Sequence, residues 1–485
     1  MSAQPKLKYF GTSGIRGRTL VDITPNFAER MARAYVDVVL SGIDQAHVVI
    51  GRDTRFGAET LELAIIAGLT ASGISVKRCG IVPTPVLLTY QQHINADGAV
   101  IITGSHIAPD RIGLIFIESD GSYCSDHVTL QIEQRFEIFK EHDGLLQIKN
   151  INDLQRIGSI EEPSDVWEIY FSFLNSKINL NLIKTFKGNL VVDPGNGTAA
   201  HFFTKFLSDN EIKVTSINDK YLSLPNRFSE PIEANLDQLK LKINNVENLG
   251  IAFDLDADRV TFMVINEESQ IVTIPADHMG ALFIDYLLKN KNKGEVILPI
   301  NSSLLAEIIL EKFNKKPIYC KIGQPATIEI VKKVPNPLFS YEESGKFYFL
   351  NEGILWTDGM LMVLKTIELL VESNRPLYTE LKETFSTYLE YISITKKIIF
   401  DEEKIITLKE KFNKKLEGIK FSGETNRINI DGIRINFDNK SWLLFRASGT
   451  EPAYKIVANA KNKALTEELI LKGEFFFSEL VDDYK

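Results

Sequence analysis

A hydroxyl and an imidazole stand side by side at Ser105 and His106, just after the apolar run Ala99–Ile102. Buried strands that end in a loop are where α/β proteins often place reactive groups. Serine is also common in turns, because its hydroxyl bonds to nearby backbone. On this segment alone, Ser105 is a candidate nucleophile, a candidate phosphate ligand or a turn residue.

Three carboxylates alternate along the chain at Asp254, Asp256 and Asp258, after an apolar run that predicts a strand. On extended backbone alternate side chains point the same way, about 6.6–7 Å apart, so the spacing predicts three carboxylates on one side. Such charges repel one another unless a cation neutralises them. Hard carboxylate oxygens suit Mg²⁺. A calcium EF-hand does not fit, because Arg259 stands where that loop needs glycine, and a solvated acidic turn fits poorly after so apolar a run.

Three further loops carry groups that could bind an anion or a hydroxyl-rich ligand. The glycine-rich segment Gly11–Gly17 contains Arg16, whose forked guanidinium could join backbone N–H groups around an anion, although a tight turn explains it equally well. The segment Glu342–Lys346 holds two acids, a hydroxyl and a lysine, and could read ligand hydroxyls or be a polar turn. The segment Arg446–Pro452 has the donors to surround a phosphate.

The elements around these loops alternate between strand and helix patterns. Thr24-Pro25 predicts a helix start, and the apolar runs Ala46–Ile50 and Gly98–Ile102 predict strands. This alternation is typical of right-handed βαβ units around a mixed or parallel sheet. We predict four domains: 1–155 with the serine, 156–253, 254–372 with the aspartates at its start, and 373–485.

Composition limits the class of protein. The 485 residues are 44% hydrophobic and 25% charged, which predicts a globular chain of several domains. The net charge of −9 argues against a nucleic-acid partner, since phosphate backbones attract basic surfaces. Three widely spaced cysteines indicate a reducing compartment, and no run approaches the roughly 20 apolar residues of a membrane span. We therefore expect a cytoplasmic protein that binds no membrane.

Taken together and in their order along the chain, the loops resemble the motifs of the α-D-phosphohexomutase superfamily. This superfamily includes phosphoglucomutase, phosphomannomutase and phosphoglucosamine mutase. The resemblance implies an α/β fold in the family's four-domain, heart-shaped architecture, with three similar α/β domains and a C-terminal α+β domain. It also implies an isomerase that interconverts hexose 1-phosphate and hexose 6-phosphate. The five matching segments are Phe10–Gly17, Thr103–His106, Asp254–Arg259, Glu342–Gly345 and Arg446–Pro452.

The resemblance assigns roles residue by residue. Ser105 is implied to carry the phosphoryl group, with His106 and Arg16 assisting proton transfer. The Mg²⁺ ligands are implied to be Asp254, Asp256 and Asp258 together with Ser105. The substrate-binding positions are implied to be Arg259, Lys321, Glu342, Ser344, Lys346, Arg446, Ser448, Gly449 and Thr450.

The same resemblance implies Mg²⁺ and a hexose 1,6-bisphosphate, which serves as primer and intermediate. The partner is implied to be a small-molecule sugar phosphate, and the protein a monomer or homodimer. The sequence does not choose among glucose, mannose and glucosamine phosphates. Transfer of a phosphoryl group passes through a charge-rich transition state, so the cation and the Arg and Lys donors would supply most of the stabilisation.

Departures from the family pattern leave two other functions open. Ile115 stands where the family generally has a lysine that is a candidate general acid or base, which favours a catalytically impaired sugar-phosphate-binding homologue. A metal-dependent sugar phosphatase is the second alternative, but only His106 offers a base for the attacking water. With an ordinary pKa near about 6.5, His106 is predicted to replace the missing lysine and to give the pH–rate profile an acidic limb. Lys346 stands where histidine is common in the family, so this segment does not indicate which sugar is recognised.

Overall fold

The computed structural model describes residues 7–141, 157–290, 293–399, 412, 414–447 and 453–482. The chain divides into two compact units, Met1–Pro275 with Ser344–Glu380 and Ala276–Glu343 with Leu381–Lys485. The serine and the three aspartates therefore belong to the first unit. Glu342 and Arg446 belong to the second.

The first sheet of the first unit is mixed, as the sequence predicts. Its strands run in the spatial order β1-β2-β6-β5-β3-β4-β7. Strand β5, which leads to Ser105, lies between β3, to which it is parallel, and β6, to which it is antiparallel. The strands are β1 (Phe10–Gly11), β2 (Gly14–Arg18), β3 (His47–Arg52), β4 (Ser75–Ile81), β5 (Gly98–Ile102), β6 (Arg111–Ile117) and β7 (Ile160–Glu161).

Four helices accompany this sheet. The first begins at Pro25, and the Thr24 side chain accepts a hydrogen bond from the backbone N–H of Phe27, so the predicted N-cap is confirmed. Its buried face packs against the second and fourth helices and closes the core over the sheet. The helices are α1 (Pro25–Val39), α2 (Ala58–Ala71), α3 (Thr84–His93) and α4 (Asp126–Glu141).

The second sheet has the order β12-β11-β10-β8-β9. Its strands are β8 (Leu190–Asp193), β9 (Val214–Ser216), β10 (Leu249–Phe253), β11 (Val260–Ile265) and β12 (Ile271–Ile274). The accompanying helices are α5 (Val166–Lys177), α6 (Leu180–Ile183), α7 (Phe202–Asp209) and α8 (Asp237–Lys240).

The aspartates lie inside this second sheet rather than after it. Strand β10 is parallel to β8 but antiparallel to β11, so 254–259 is the turn of a β10–β11 hairpin. The sheet continues to Ile274 through β12. The boundary predicted at 253 therefore differs from the structure, which places it near 275, because a division at 253 would separate β10 from its antiparallel neighbour β11 and split the sheet.

The second unit begins with a small parallel arrangement in which β13 pairs with both β14 and β15. These strands are β13 (Glu295–Pro299), β14 (Ile318–Cys320) and β15 (Pro337–Glu342), and the helices between them are α9 (Ala276–Lys289), α10 (Leu304–Lys312) and α11 (Gln324–Val331). The chain then returns to the first unit with β16 (Lys346–Tyr348) and α12 (Gly359–Ser373), and α13 (Leu377–Phe385) follows.

The C-terminal part of the second unit has a different topology, as expected. Its sheet is antiparallel in the order β17-β21-β20-β19-β18, and the long helix α14 packs against it. The elements are β17 (Ile392–Ile399), β18 (Glu424–Ile428), β19 (Ile433–Phe437), β20 (Ser441–Ala447), β21 (Ala453–Ala460) and α14 (Lys463–Asp482). Three α/β/α regions and a further α+β region agree with the predicted fold class. Across the described ranges, no helix combines the length and the apolar character that a membrane crossing needs.

Candidate functional site

Residues 103–111, which we call the serine loop, leave the end of β5. Ser105 is 4% exposed and has φ +45°, a left-handed conformation that serine rarely adopts. Its backbone N–H donates to Thr103 Oγ1 at 2.8 Å. Its hydroxyl donates to Asp254 Oδ2 at 2.7 Å and lies 3.3 Å from His106 Nδ1. The fold thus aims the hydroxyl at the aspartates.

Buried charges hold the serine loop from below. The Arg55 guanidinium donates to four backbone carbonyls at 2.6–3.0 Å, those of residues 105, 107, 108 and 111. Asp53 accepts from the backbone N–H of Gly104 at 2.7 Å and from the Thr103 hydroxyl at 3.1 Å. A Cβ at Gly104 would lie 2.2 Å from Arg55 Cζ, so only glycine permits this stacking.

Sequence reasoning gave no role to Asp53 or Arg55. The available signal was a charged run, Arg52-Asp53-Thr54-Arg55, directly after an apolar strand. Both side chains are buried, at 1% and 3% exposure. Desolvation lowers the pKa of Arg55, and the charge of Asp53 opposes that shift. Together they keep the serine in its left-handed conformation.

Arg16 lies against the same loop. Its Nη1 donates to the Thr103 carbonyl at 2.9 Å. In the β2–β6 pairing Arg16 faces Gly113, where a Cβ would lie 1.7 Å from Arg16 Nη1. The absence of a side chain at 113 therefore lets the guanidinium reach the serine loop. The structure brings Arg16, Ser105 and His106 together, as the resemblance implies.

Residues 254–259, which we call the aspartate loop, form a turn and not the extended backbone that the spacing predicted. Ala257 has φ +53°, which folds the segment back on itself. One carboxylate oxygen from each of Asp254, Asp256 and Asp258 lies within 4.8 Å of the others. The three carboxylates do converge, but the turn produces the convergence and the alternation of a strand does not.

Three neighbouring elements hold the aspartate loop through its backbone. The Leu255 carbonyl accepts from the Thr198 N–H at 2.8 Å and from its hydroxyl at 2.9 Å. The Asp256 carbonyl accepts from the Thr84 N–H at 3.0 Å. The Ala257 carbonyl accepts from the Gly359 N–H, at the start of α12, at 3.1 Å. Successive carbonyls are thus fixed from α3, from the segment before α7 and from α12.

The aspartates form an electrostatically unsatisfied group. Burial and then the neighbouring aspartates raise the pKa of Asp254, and burial and then Asp258 raise the pKa of Asp256. The Oδ1 atoms of Asp256 and Asp258 are buried with no hydrogen-bond partner within the described part of the chain. Arg259 Nε lies 3.7 Å from Asp254 Oδ2 and 3.9 Å from Asp258 Oδ1.

This donor set fits a hard divalent cation. Three convergent carboxylates offer oxygen ligands, and two of their buried oxygens have no hydrogen-bond partner among the described residues. Mg²⁺ prefers oxygen donors and retains positions for water or a phosphate oxygen. A dication would also favour the ionised forms of Asp254 and Asp256, whose pKa burial raises.

The segment 344–346 brings Lys346 beside the aspartate loop. Lys346 is 4% exposed, and its Nζ donates to Asp258 Oδ2 at 2.6 Å. The Ser344 hydroxyl is buried and has no hydrogen-bond partner among the residues described. Lys346 is thus a neighbour of the aspartate loop, a contact between residues 88 positions apart that sequence spacing could not reveal.

His106 does not keep an ordinary pKa. Desolvation, followed by the positive charges of Arg259, Lys346, Arg16 and Arg55, lowers its pKa to about 2. The imidazole is therefore neutral near pH 7. Burial of the ring and then the positive charges near it thus oppose the titration near pH 6.5 that the sequence suggested.

Ile115 offers no proton-transfer group. It lies in β6 opposite Ile101 and is 2% exposed, so it belongs to the core of the first sheet.

The second unit carries the remaining candidate residues that the structure describes. Arg446 Nε donates to Asp431 Oδ2 at 2.8 Å, and the same carboxylate oxygen accepts from the Ile322 N–H at 3.2 Å. Asp431 thereby links Arg446 to the loop that carries the exposed Lys321. Glu342 ends β15 and is half-buried. Ser448, Gly449 and Thr450 lie outside the described residues.

Sequence models of one family match most of the chain. Their descriptions are phosphoglucomutase/phosphomannomutase alpha/beta/alpha domain I at residues 7–142, domain II at 168–267 and domain III at 275–388. The domain II match, residues 168–267, includes the aspartate loop. This agrees with the position of that loop in a hairpin of the second sheet.

Individual proteins are similar over nearly the whole chain. A phosphoglucomutase/phosphomannomutase of Thermococcus kodakarensis is 30% identical over 471 residues, which cover 96% of this chain and 97% of the relative. A phosphoglucosamine mutase of Limosilactobacillus reuteri is 30% identical over 469 residues, with 96% and 97% covered. The crystal structure of a phosphoglucomutase/phosphomannomutase family protein from Burkholderia thailandensis has a TM-score of 0.79 at 22% identity and covers 98% of this chain and 97% of its own. At that identity the structural likeness concerns the fold.

Proposed function

Because the chain belongs to the phosphoglucomutase/phosphomannomutase family, whose named members are mutases, we propose that it is a magnesium-dependent phosphohexomutase. It would interconvert hexose 1-phosphate and hexose 6-phosphate through a phosphoserine and a bisphosphorylated sugar. The observation that carries the proposal is the 2.7 Å contact between the Ser105 hydroxyl and Asp254. It joins a candidate phosphoryl acceptor to a group of carboxylates that fits Mg²⁺.

The roles of the residues follow from their chemistry. Asp254, Asp256 and Asp258 would hold Mg²⁺, which when bound supplies positive charge beside the transferring phosphoryl group. Ser105 Oγ would carry that group, and the left-handed backbone presents this oxygen to the aspartates. Arg16 would act by its charge, since a guanidinium does not readily lose a proton.

Proton transfer needs a different account from the one the sequence suggested. His106 Nδ1 lies 3.3 Å from Ser105 Oγ, within reach of a weak hydrogen bond. As a neutral imidazole it would orient the hydroxyl, and it is a poor base while its pKa is depressed. A dianionic phosphate on Ser105 would add negative charge beside the ring and raise that pKa again.

In the second unit, Arg446 would hold the phosphate that does not react, and Lys321 and Glu342 would contact the sugar phosphate. Ser344 would read a sugar hydroxyl through its buried, unpartnered Oγ. Arg259, in the first unit, would bind the substrate. The cytoplasmic location and the monomeric or homodimeric state stay predictions.

The test is a coupled assay with glucose, mannose and glucosamine 1-phosphates, Mg²⁺ and the matching bisphosphate. We expect turnover of at least one substrate, a phosphoryl group on Ser105 by peptide mass analysis, and loss of both in Ser105→Ala. Ser122→Ala is the control, since the Ser122 hydroxyl donates to Asp120 Oδ1 in the turn after β6. A phosphate found only elsewhere, or full turnover by Ser105→Ala, would contradict the proposal.

Ile115 supports a second candidate, a sugar-phosphate binder that has lost turnover. The same assay distinguishes the two functions when it is combined with calorimetry. Binding of hexose phosphates without turnover of any of the three 1-phosphates would favour the sugar-phosphate binder.

A further inference from the structure

Lys346 places a cationic side chain among the proposed metal ligands. Its Nζ lies 2.6 Å from Asp258 Oδ2, and the two side chains are 5% and 2% exposed. Hydrogen bonds of this length between two charged groups are strong, and burial reduces the screening by water. The ammonium therefore occupies one oxygen of a carboxylate that a metal ion would also use.

The backbone fixes Lys346 at this place. The Val260 N–H, at the end of the aspartate loop, donates to the Gly345 carbonyl at 3.0 Å. Gly345 has φ +88°, and a Cβ there would lie 2.8 Å from the Val260 carbonyl oxygen. Because Lys346 follows Gly345 directly, its main chain is tied to the loop whose carboxylate it contacts.

The charge of Lys346 offsets part of the repulsion among the aspartates. Its Nζ lies 2.6 Å from Asp258 Oδ2, within a group whose three carboxylates converge to within 4.8 Å. Arg259 is another nearby cation, but its Nε stands 3.7–3.9 Å from the carboxylates. Among the ion pairs of the described residues, that of Lys346 is the shortest to the three aspartates.

We propose that Lys346 is a built-in competitor for the divalent metal. Its ammonium stabilises the metal-free aspartate loop and weakens metal binding, so that occupancy of the site follows the free Mg²⁺ concentration. A group of three aspartates without this lysine would stay filled at lower Mg²⁺ concentration. The inference rests on the proposed function for the identity of the metal site.

The experiment measures metal binding directly, by calorimetry with Mg²⁺ and by electron paramagnetic resonance with Mn²⁺, on wild type, Lys346→Met and Lys346→Arg. Removing the charge in Lys346→Met should tighten binding by about tenfold or more, the scale of one hydrogen bond to a charged group. Lys346→Arg keeps the charge and should stay close to wild type. In EDTA the Met variant should unfold at a lower temperature than wild type, and added metal should raise its Tm by more.

Lys346→Met that binds Mn²⁺ as weakly as wild type, or more weakly, would overturn the inference, because a merely structural role predicts weaker binding. Lys346→Gln, which can still donate to Asp258 without a charge, repeats the test if the Met variant does not fold. Asp256→Asn tests the metal site separately from the role of Lys346. If Asp256→Asn binds Mn²⁺ as tightly as wild type, the ion is bound elsewhere, and both the proposed metal site and the inference fail.

Discussion

The serine loop and the aspartate loop meet at one hydrogen bond, yet the fold holds them by different kinds of interaction. A single buried guanidinium, that of Arg55, bonds to four carbonyls of the serine loop. The carbonyls of the aspartate loop are instead shared among neutral donors from Thr84, Thr198 and Gly359. Support by one charged group makes the serine loop sensitive to one substitution, whereas distributed support makes the aspartate loop tolerant.

The reason for the difference is electrostatic. The aspartate loop already carries three buried negative charges, so its backbone is fixed by donors that bring no further charge of their own. The serine loop carries no acid among its buried residues, and a cation beneath it is balanced by Asp53, with Arg55 Nε 3.6 Å from Asp53 Oδ2. A charged donor is found just before the aspartate loop. Arg227 donates to the carbonyl of Phe253, the last residue of β10, at 2.6 Å.

The largest effect is expected from Arg55→Met. This change leaves Asp53 buried without its ion-pair partner and four carbonyls without their donor, so stability should fall by about 3–5 kcal/mol. Denaturant unfolding measures the loss, and the mutase assay should show little turnover. Arg55→Lys should recover only part of both, because an ammonium cannot reach four carbonyls in the geometry of the fork. If Arg55→Met is as stable as wild type, the serine loop does not depend on this one guanidinium.

A much smaller effect is expected from Thr198→Val. The Thr198 hydroxyl is lost, but its backbone N–H still donates to the Leu255 carbonyl at 2.8 Å. The stability loss should be about 1 kcal/mol, the typical contribution of one neutral hydrogen bond. The same unfolding measurement gives this value, and Mn²⁺ affinity should change little. A loss as large as that of Arg55→Met would show that the aspartate loop also depends on one residue.

The smallest effect is expected for His106, whose imidazole should not become protonated in the usual pH range. Since its pKa is lowered to about 2, His106 in the unphosphorylated protein should stay neutral between pH 5 and pH 8. Its ring-proton resonance, assigned by loss in His106→Gln, should not move in that range. The unfolded chain does bind this proton below about pH 6.5, so His106 should reduce stability as the pH falls below that value. A midpoint near 6.5 would show that the four surrounding cations do not act on the ring.

Much of the fold could be predicted from local pattern. Strand β5 has the predicted bounds Gly98–Ile102, and α1 begins at the predicted Pro25. Both depend on short-range signals, apolar β-branched runs and a capping residue before proline. The predicted boundary at 253 differed from the structure because the turn of a hairpin and the end of a domain have similar local sequence, and only strand pairing distinguishes them.

By itself the sequence determined which chemical groups the candidate site contains: a serine hydroxyl and three carboxylates, which follow apolar runs, and several cations. The tertiary structure decided the surroundings of those groups. It folded the aspartates into a turn, brought Lys346 to Asp258 across 88 positions, and placed His106 where burial and nearby cations lower its pKa. The physical reason is that charge interactions and desolvation depend on distance in space and on burial. Neither can be read from the distance between residues along the chain.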